Sequence, residues 1–146
     1  MSLLAALRAF LIQRTAITDI IVSGDAARIG PAGAHAEHPG VPAIRYQRVG
    51  AGREPHLRGP GGIVERHVEI NCWADTLDDA EALAKQVRLA LDGHPKGDFG
   101  AGEHIINCRG ITLEDEGDND EPPIDASLVG KQRTTMTFSI WHTETT

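Results

Sequence analysis

The side chains best equipped for acid/base chemistry lie close together. Glu65, His67 and Glu69 alternate along one extended stretch and so share a face. Two carboxylates beside an imidazole can pass a proton to or from a bound substrate. That task needs a dry pocket that tunes the three groups. A half-polar strand face supplies solvent instead, so the trio reads as a solvated surface. His35 and His38 have a spacing that suggests a metal. No further ligands lie near them, and a loop of Gly, Pro and Ala makes a poor cage. Gly59-Pro60-Gly61-Gly62 could cradle a phosphate only between a strand and a helix, with Lys and Ser/Thr following; here a strand follows. The run Asp115–Asp125 is dense in carboxylates but lacks the Asp-x-Asp-x-Asp-Gly order and twelfth-position Glu of a calcium loop of the EF-hand type. It reads as a self-repelling, solvated loop. Cys72 and Cys108 give no disulfide framework. Cys72 falls on an apolar strand face, as a reduced, buried thiol does. No Gly-x-Ser-x-Gly elbow occurs. No catalytic, cofactor-binding or metal-ligating residue is assigned.

The elements that carry these groups follow from periodicity. From Ile63 to Gly93 the pattern changes from a period of two to one of 3.6, a strand running straight into an amphipathic helix. Val64, Val68, Ile70 and Cys72 form the strand's apolar face. Glu65, His67, Glu69, Asn71 and Trp73 form the other. Asp75 or Thr76 can cap the helix, whose apolar stripe runs from Leu77 to Leu91, and Gly93 and Pro95 stop it. Upstream, Leu3 to Arg14 reads as a first helix, Ala16 to Arg28 as a short mixed segment, Gly30 to Pro42 as a loop and Pro42 to Val49 as a strand. Downstream, Lys96 to Glu103 reads as a turn, His104 to Glu114 as a strand and Leu128 to Trp141 as the last strand. The Gly-rich stretch Gly50–Gly62 between two strands predicts a long hairpin arm.

The fold class expected is α+β: a four-stranded, mainly antiparallel sheet with two helices on one face, in the order α-β-β-α-β-β. The 146 residues suit one domain spanning 1–146. A net charge of -7 disfavours tight, non-specific binding to nucleic acid. No apolar run is long enough to cross a bilayer. Met1–Arg8 lacks the basic start of a signal peptide, so synthesis in the cytoplasm is expected.

Alternation places Trp73 and Trp141, the chain's two tryptophans, on the sheet face away from the helices. Aromatic residues are enriched at protein interfaces. Either the two indoles meet a partner surface, or each folds over a strand end.

Taken together, several segments resemble the tail-completion or tail-terminator proteins of tailed bacteriophages and gene transfer agents. They are the apolar first helix, the strand Pro42-Ala-Ile-Arg-Tyr-Gln-Arg-Val49 and the Gly-Pro-Gly-Gly turn. Also among them are Val-Glu-Ile-Asn-Cys-Trp-Ala running into Asp-Asp-Ala-Glu-Ala-Leu-Ala, and the closing Met-Thr-Phe-Ser-Ile-Trp-His142. The resemblance implies a structural virion protein with no catalytic residues. In such proteins subunits form a ring, typically hexameric, that caps the tail tube, stops its polymerisation and offers the surface on which the head docks. DNA passes through the central channel. The partners implied are further copies of the chain, the major tail tube protein, and a head–tail connector or stopper. DNA in transit is not bound specifically, and no membrane is involved. The candidate interface residues are Trp73, Trp141, Arg45, Arg53, Arg58, Glu65, His67 and Glu69. Asp118, Asp120 and Glu121 are candidates for a lumen-facing acidic loop. The competing reading is a small ligand-binding or small-molecule enzyme domain with a pocket near His35, His38 and His67.

Overall fold

The structure, a computed structural model, describes residues 3–21, 28–31, 42–49, 57–58, 63–118 and 132–143. Helix α1 is Leu3–Ile12, and the single turn α2 is Thr15–Thr18. Strands β1 (Ile29–Pro31), β2 (Ala43–Val49), β3 (Leu57–Arg58) and β4 (Ile63–Ala74) follow. After helix α3 (Leu77–Leu91) come β5 (Gly97–Ala101), β6 (His104–Asp118) and β7 (Gln132–Thr143).

One curled sheet takes the order β1-β2-β4-β7-β6-β5, with β3 paired beside β4. Its centre is the ladder between β4 and β7, in register from Ile63↔Thr143 to Ala74↔Gln132. All pairings are antiparallel except β1 on β2. The α+β class and the helix-covered face agree with the sequence reading. The count of four strands and two helices does not. Among the described residues the sheet path has six strands plus the short β3, and α2 is a third helix.

The missed elements have weak local signals. β5 reads Gly-Asp-Phe-Gly-Ala, with no β-branched residue, and looks like a turn. Pairing with β6 makes it a strand. β1 is three residues ending in Pro31, tolerable only at a sheet edge. The long strand β6 extends to Asp118, four residues past the expected Glu114, so the first part of the acidic run is strand rather than loop. Residues 119–131, with Asp120, Glu121 and the start of the expected last strand, lie outside the described residues.

The core is continuous. Val68, Ile70 and Cys72 of β4 meet Met136, Phe138 and Ile140 of β7 on one sheet face. Leu3, Leu7, Phe10 and Leu11 of α1, and Leu83, Val87 and Leu91 of α3, cover that face. α3 starts where Thr76 accepts a hydrogen bond from the Asp79 amide at 3.2 Å. Asp78 and Asp79 favour the positive end of its dipole. At its other end Gly93 adopts φ 75° and donates its amide to the Ile111 carbonyl at 3.0 Å. Asp92 Oδ1 accepts from the Leu113 amide at 3.1 Å. The helix end therefore clips onto the outer edge of β6 at Ile111 and Leu113. β6 needs this brace, because its pairing with β7 is interrupted by bulges between Cys108 and Gly110 and between Leu113 and Asp115.

Candidate functional site

The sheet face away from the helices carries most of the candidate residues. Register places Glu65 opposite Trp141, His67 opposite Ser139, Glu69 opposite Thr137 and Trp73 opposite Arg133. Arg45 lies opposite Asn71, and Gln47 opposite Glu69. These residues all project from that one face, as alternation requires.

Their contacts are structural in character. Glu69 Oε1 accepts from Gln47 Nε2 at 3.2 Å and from Asn71 Nδ2 at 3.0 Å. Thr135 Oγ1 donates to Asn71 Oδ1 at 2.7 Å. The result is a polar ladder tying β2, β4 and β7 together. Nearer the other end of β4, Ser139 Oγ donates to Glu65 Oε2 at 2.6 Å. His67 Nε2 stands 3.7 Å from Glu65 Oε1, beyond hydrogen-bond length, and its side chain is 43% exposed. Nucleophilic catalysis would need the hydroxyl on the imidazole. Here the hydroxyl is spent on the carboxylate and the imidazole faces solvent.

This face is not bare. Ala43, Arg45, Asn71, Trp73 and Ser139 are buried within the chain. Trp73, only 5% exposed, lies beneath the Arg133 guanidinium, whose carbon is 4.9 Å from the ring centroid. That arrangement is a cation–π contact. Trp141 is half-buried beside Glu65 and Gly110. Glu65 and Trp73 are eight positions apart on β4, so the indoles sit roughly 27 Å from each other at the usual strand rise and form no common patch. Sequence reasoning missed Arg133, Gln47 and Thr135 as their neighbours. Alternation alone places all three on this face, but their partners depend on strand register.

The remaining candidates fare differently. Arg58 lies on β3, paired with Ile63, while the rest of the expected arm, 50–56 and 59–62, lies outside the described residues. Arg53, His35 and His38 lie outside the described residues. Asp118 ends β6, opposite Thr134. Among the described residues no group of three or more His, Cys, Asp or Glu could hold a metal ion. Burial pushes the Cys72 thiol far above its ordinary range and raises Cys108 and Tyr46 as well. These are inert core groups rather than nucleophiles. An open cleft of about 460 Å³ lies between α1 and the β5–β6 turn, bordered by Arg8, Ile12, Gln13, Glu103 and His104. Another, of about 360 Å³, lies where Arg88 of α3 meets Glu116 of β6 at 2.8 Å. Neither is lined by His67.

A site with interlocked polar side chains and no activated group suits a protein that works by contact. The family model for tail completion protein gp17 matches residues 5–143. The chain belongs to the tail completion protein gp17 family. As a tail-completion protein it is a structural component of a virion tail and not an enzyme. Its fold is similar to that of a chain in a solved structure described as the virion of a native gene transfer agent particle. The TM-score is 0.65 at 15% sequence identity, covering 98% of this chain and 96% of the other. No curated protein matches the sequence.

Proposed function

We propose that this tail-completion protein is a tail terminator. Copies of the chain close into a ring, hexameric as in the proteins it resembles, on the last layer of the tail tube. One face of the ring binds the major tail tube protein. The other presents no tube-like surface, so no further layer adds, and it receives the head connector or stopper. The ring lies at the neck of a virion assembled in a bacterial cytoplasm.

The observation that carries this reading is the gp17 family match over nearly the whole chain. The geometry supports it. A ring needs heterologous contacts between two different surfaces of the same subunit. The sheet has two dissimilar edges and a polar outer face with Trp141 half-buried at one end. The arm carrying Arg53 and Arg58 suits contact with the tube; Arg45, buried in β2, does not. Glu65, His67, Glu69 and Trp141 suit contacts between subunits or with the connector, whereas Trp73 is already buried beneath Arg133. Asp118, Asp120 and Glu121 suit the lumen, where a basic lining would hold DNA through counterion release and an acidic one lets it slide.

Deleting Ala51 to Gly61 tests the arm. Particles made with the shortened chain should show overlong tails or tails without heads by electron microscopy. Tails of normal length, still joined to heads, would exclude the arm from the contact.

A further inference from the structure

Helix α1 is apolar on every side. Leu3, Ala6, Leu7, Phe10 and Leu11 are buried in the core, yet Ala5, Ala9 and Ile12 on the opposite side are uncharged too and only half-buried. A surface helix ordinarily carries charge on that side, and a helix that is apolar all round is a buried one. Arg8 is the single charged residue of α1, and its Nε donates to the Ile29 carbonyl at 2.9 Å, fastening the helix to β1. The outward side of α1 forms one wall of the open cleft of about 460 Å³, and Ala101 to His104 of the β5–β6 turn form the other. Ala5, Ala9 and Ile12 make that cleft apolar. Glu103 stands exposed at its rim, with no ion-pair partner among the described residues.

Helix α3 has the matching shape. Of the large apolar side chains exposed among the described residues, Leu89 is the most exposed, at 63%. Ala80, Leu83, Ala84, Val87 and Leu91 face the core. At about 100° per residue, Asp78, Ala82, Lys85 and Leu89 point directly away from it. Lys85, one turn before Leu89, is exposed and also has no ion-pair partner among the described residues. α1 packs on β5, β6 and β1, whereas α3 lies mainly over β4 and β7. The two outward faces therefore belong to different parts of the curled sheet, and each chain offers one of each.

We propose that the cleft beside α1 seats α3 of the neighbouring copy: Leu89 of one subunit enters the apolar cleft of the next, and Lys85 meets Glu103 at the rim. The inference rests on the ring reading above and names the surfaces that close it. An apolar anchor in a pocket supplies the affinity, and the charge pair beside it fixes the register. A contact between two different surfaces of one subunit is the heterologous kind that a ring needs.

Disulfide trapping tests it, on the full chain alone and on tail tubes capped by it. Leu89→Cys chains are mixed with Ala9→Cys chains, oxidised, and run on a non-reducing gel; Cys72 and Cys108 are buried and serve as the background. The mixture should give a two-chain band that neither variant gives alone. Sedimentation velocity should show Leu89→Asp associating about thirtyfold more weakly than wild type. Lys85→Glu and Glu103→Lys should each weaken association roughly tenfold, and the two together should recover most of it. Thermal melts confirm that each variant is folded. Rings seen by electron microscopy without the mixed band, or Leu89→Cys chains that cross-link equally well alone, would overturn the seam and leave the ring reading intact. Tubes that shield Ala9→Cys from maleimide without the mixed band would give the cleft to the tube protein and overturn the seam. A mixed band confined to two-chain particles would keep the contact and remove the ring, and a wild-type chain that associates neither in solution nor on tubes would remove both.

Discussion

At the scale of single residues, the polar side chains on the outer face of β4, His67 excepted, are engaged in holding the sheet together. Glu69 bridges Gln47 and Asn71, Glu65 receives the Ser139 hydroxyl, and Trp73 lies under Arg133. The face of each residue was legible in the sequence, because alternation along β4 and β7 is strict. What each side chain touches was not, because it depends on a register fixed only when β7 returns from far along the chain. The buried thiols give a prediction at this scale. Burial raises the Cys72 and Cys108 values in the folded state, so each thiol stays protonated there while the unfolded chain ionises near 9. The stabilisation from burying the neutral thiols is complete below that value. It is lost as pH rises toward the folded-state values, by up to about 1.4 kcal/mol per pH unit for each thiol. Urea unfolding from pH 8 to 10.5 should therefore show a flatter decline for Cys72→Ala than for wild type. Parallel declines would mean that Cys72 is accessible in the folded chain.

At the scale of elements, α1, β2, β4, α3 and β7 were legible because each buries a strong stripe at its own period. α2, β1 and β5 were not, since a single turn or a glycine-bearing edge carries too little pattern to read. Their order comes from neighbours. The β5–β6 hairpin illustrates this. Ala101 pairs with His104 across the turn Gly102–Glu103, where Gly102 takes φ 58°. Gly100, at φ 117°, lets the chain pass so close that an added Cβ would stand 1.8 Å from the His104 carbonyl oxygen. That atom is backbone and cannot swing aside. Gly100→Ala should destabilise the fold by at least about 2 kcal/mol in chemical denaturation, from strain and lost pairing together. Gly97→Ala has no atom to meet, so it reports the cost of the backbone angle alone. Equal stability of the two variants would show that the close approach is not maintained in solution.

At the scale of the whole molecule, the curled sheet has one face covered by helices, an outer face braced by a polar ladder, and two dissimilar edge strands, β1 and β5. Among the described residues it offers surfaces for contact and no cluster of groups that could hold a metal ion. The family was legible from the combination of segments, although no single motif is diagnostic. The central claim is that the protein acts by closing a ring on the end of a tube. The most direct measurement is a cryo-electron microscopy reconstruction of the head-proximal tail end, with the chain identified by its fold. The account predicts a single ring of this chain between the last tube layer and the connector. Finding the chain repeated along the tube, or absent from the neck, would contradict it.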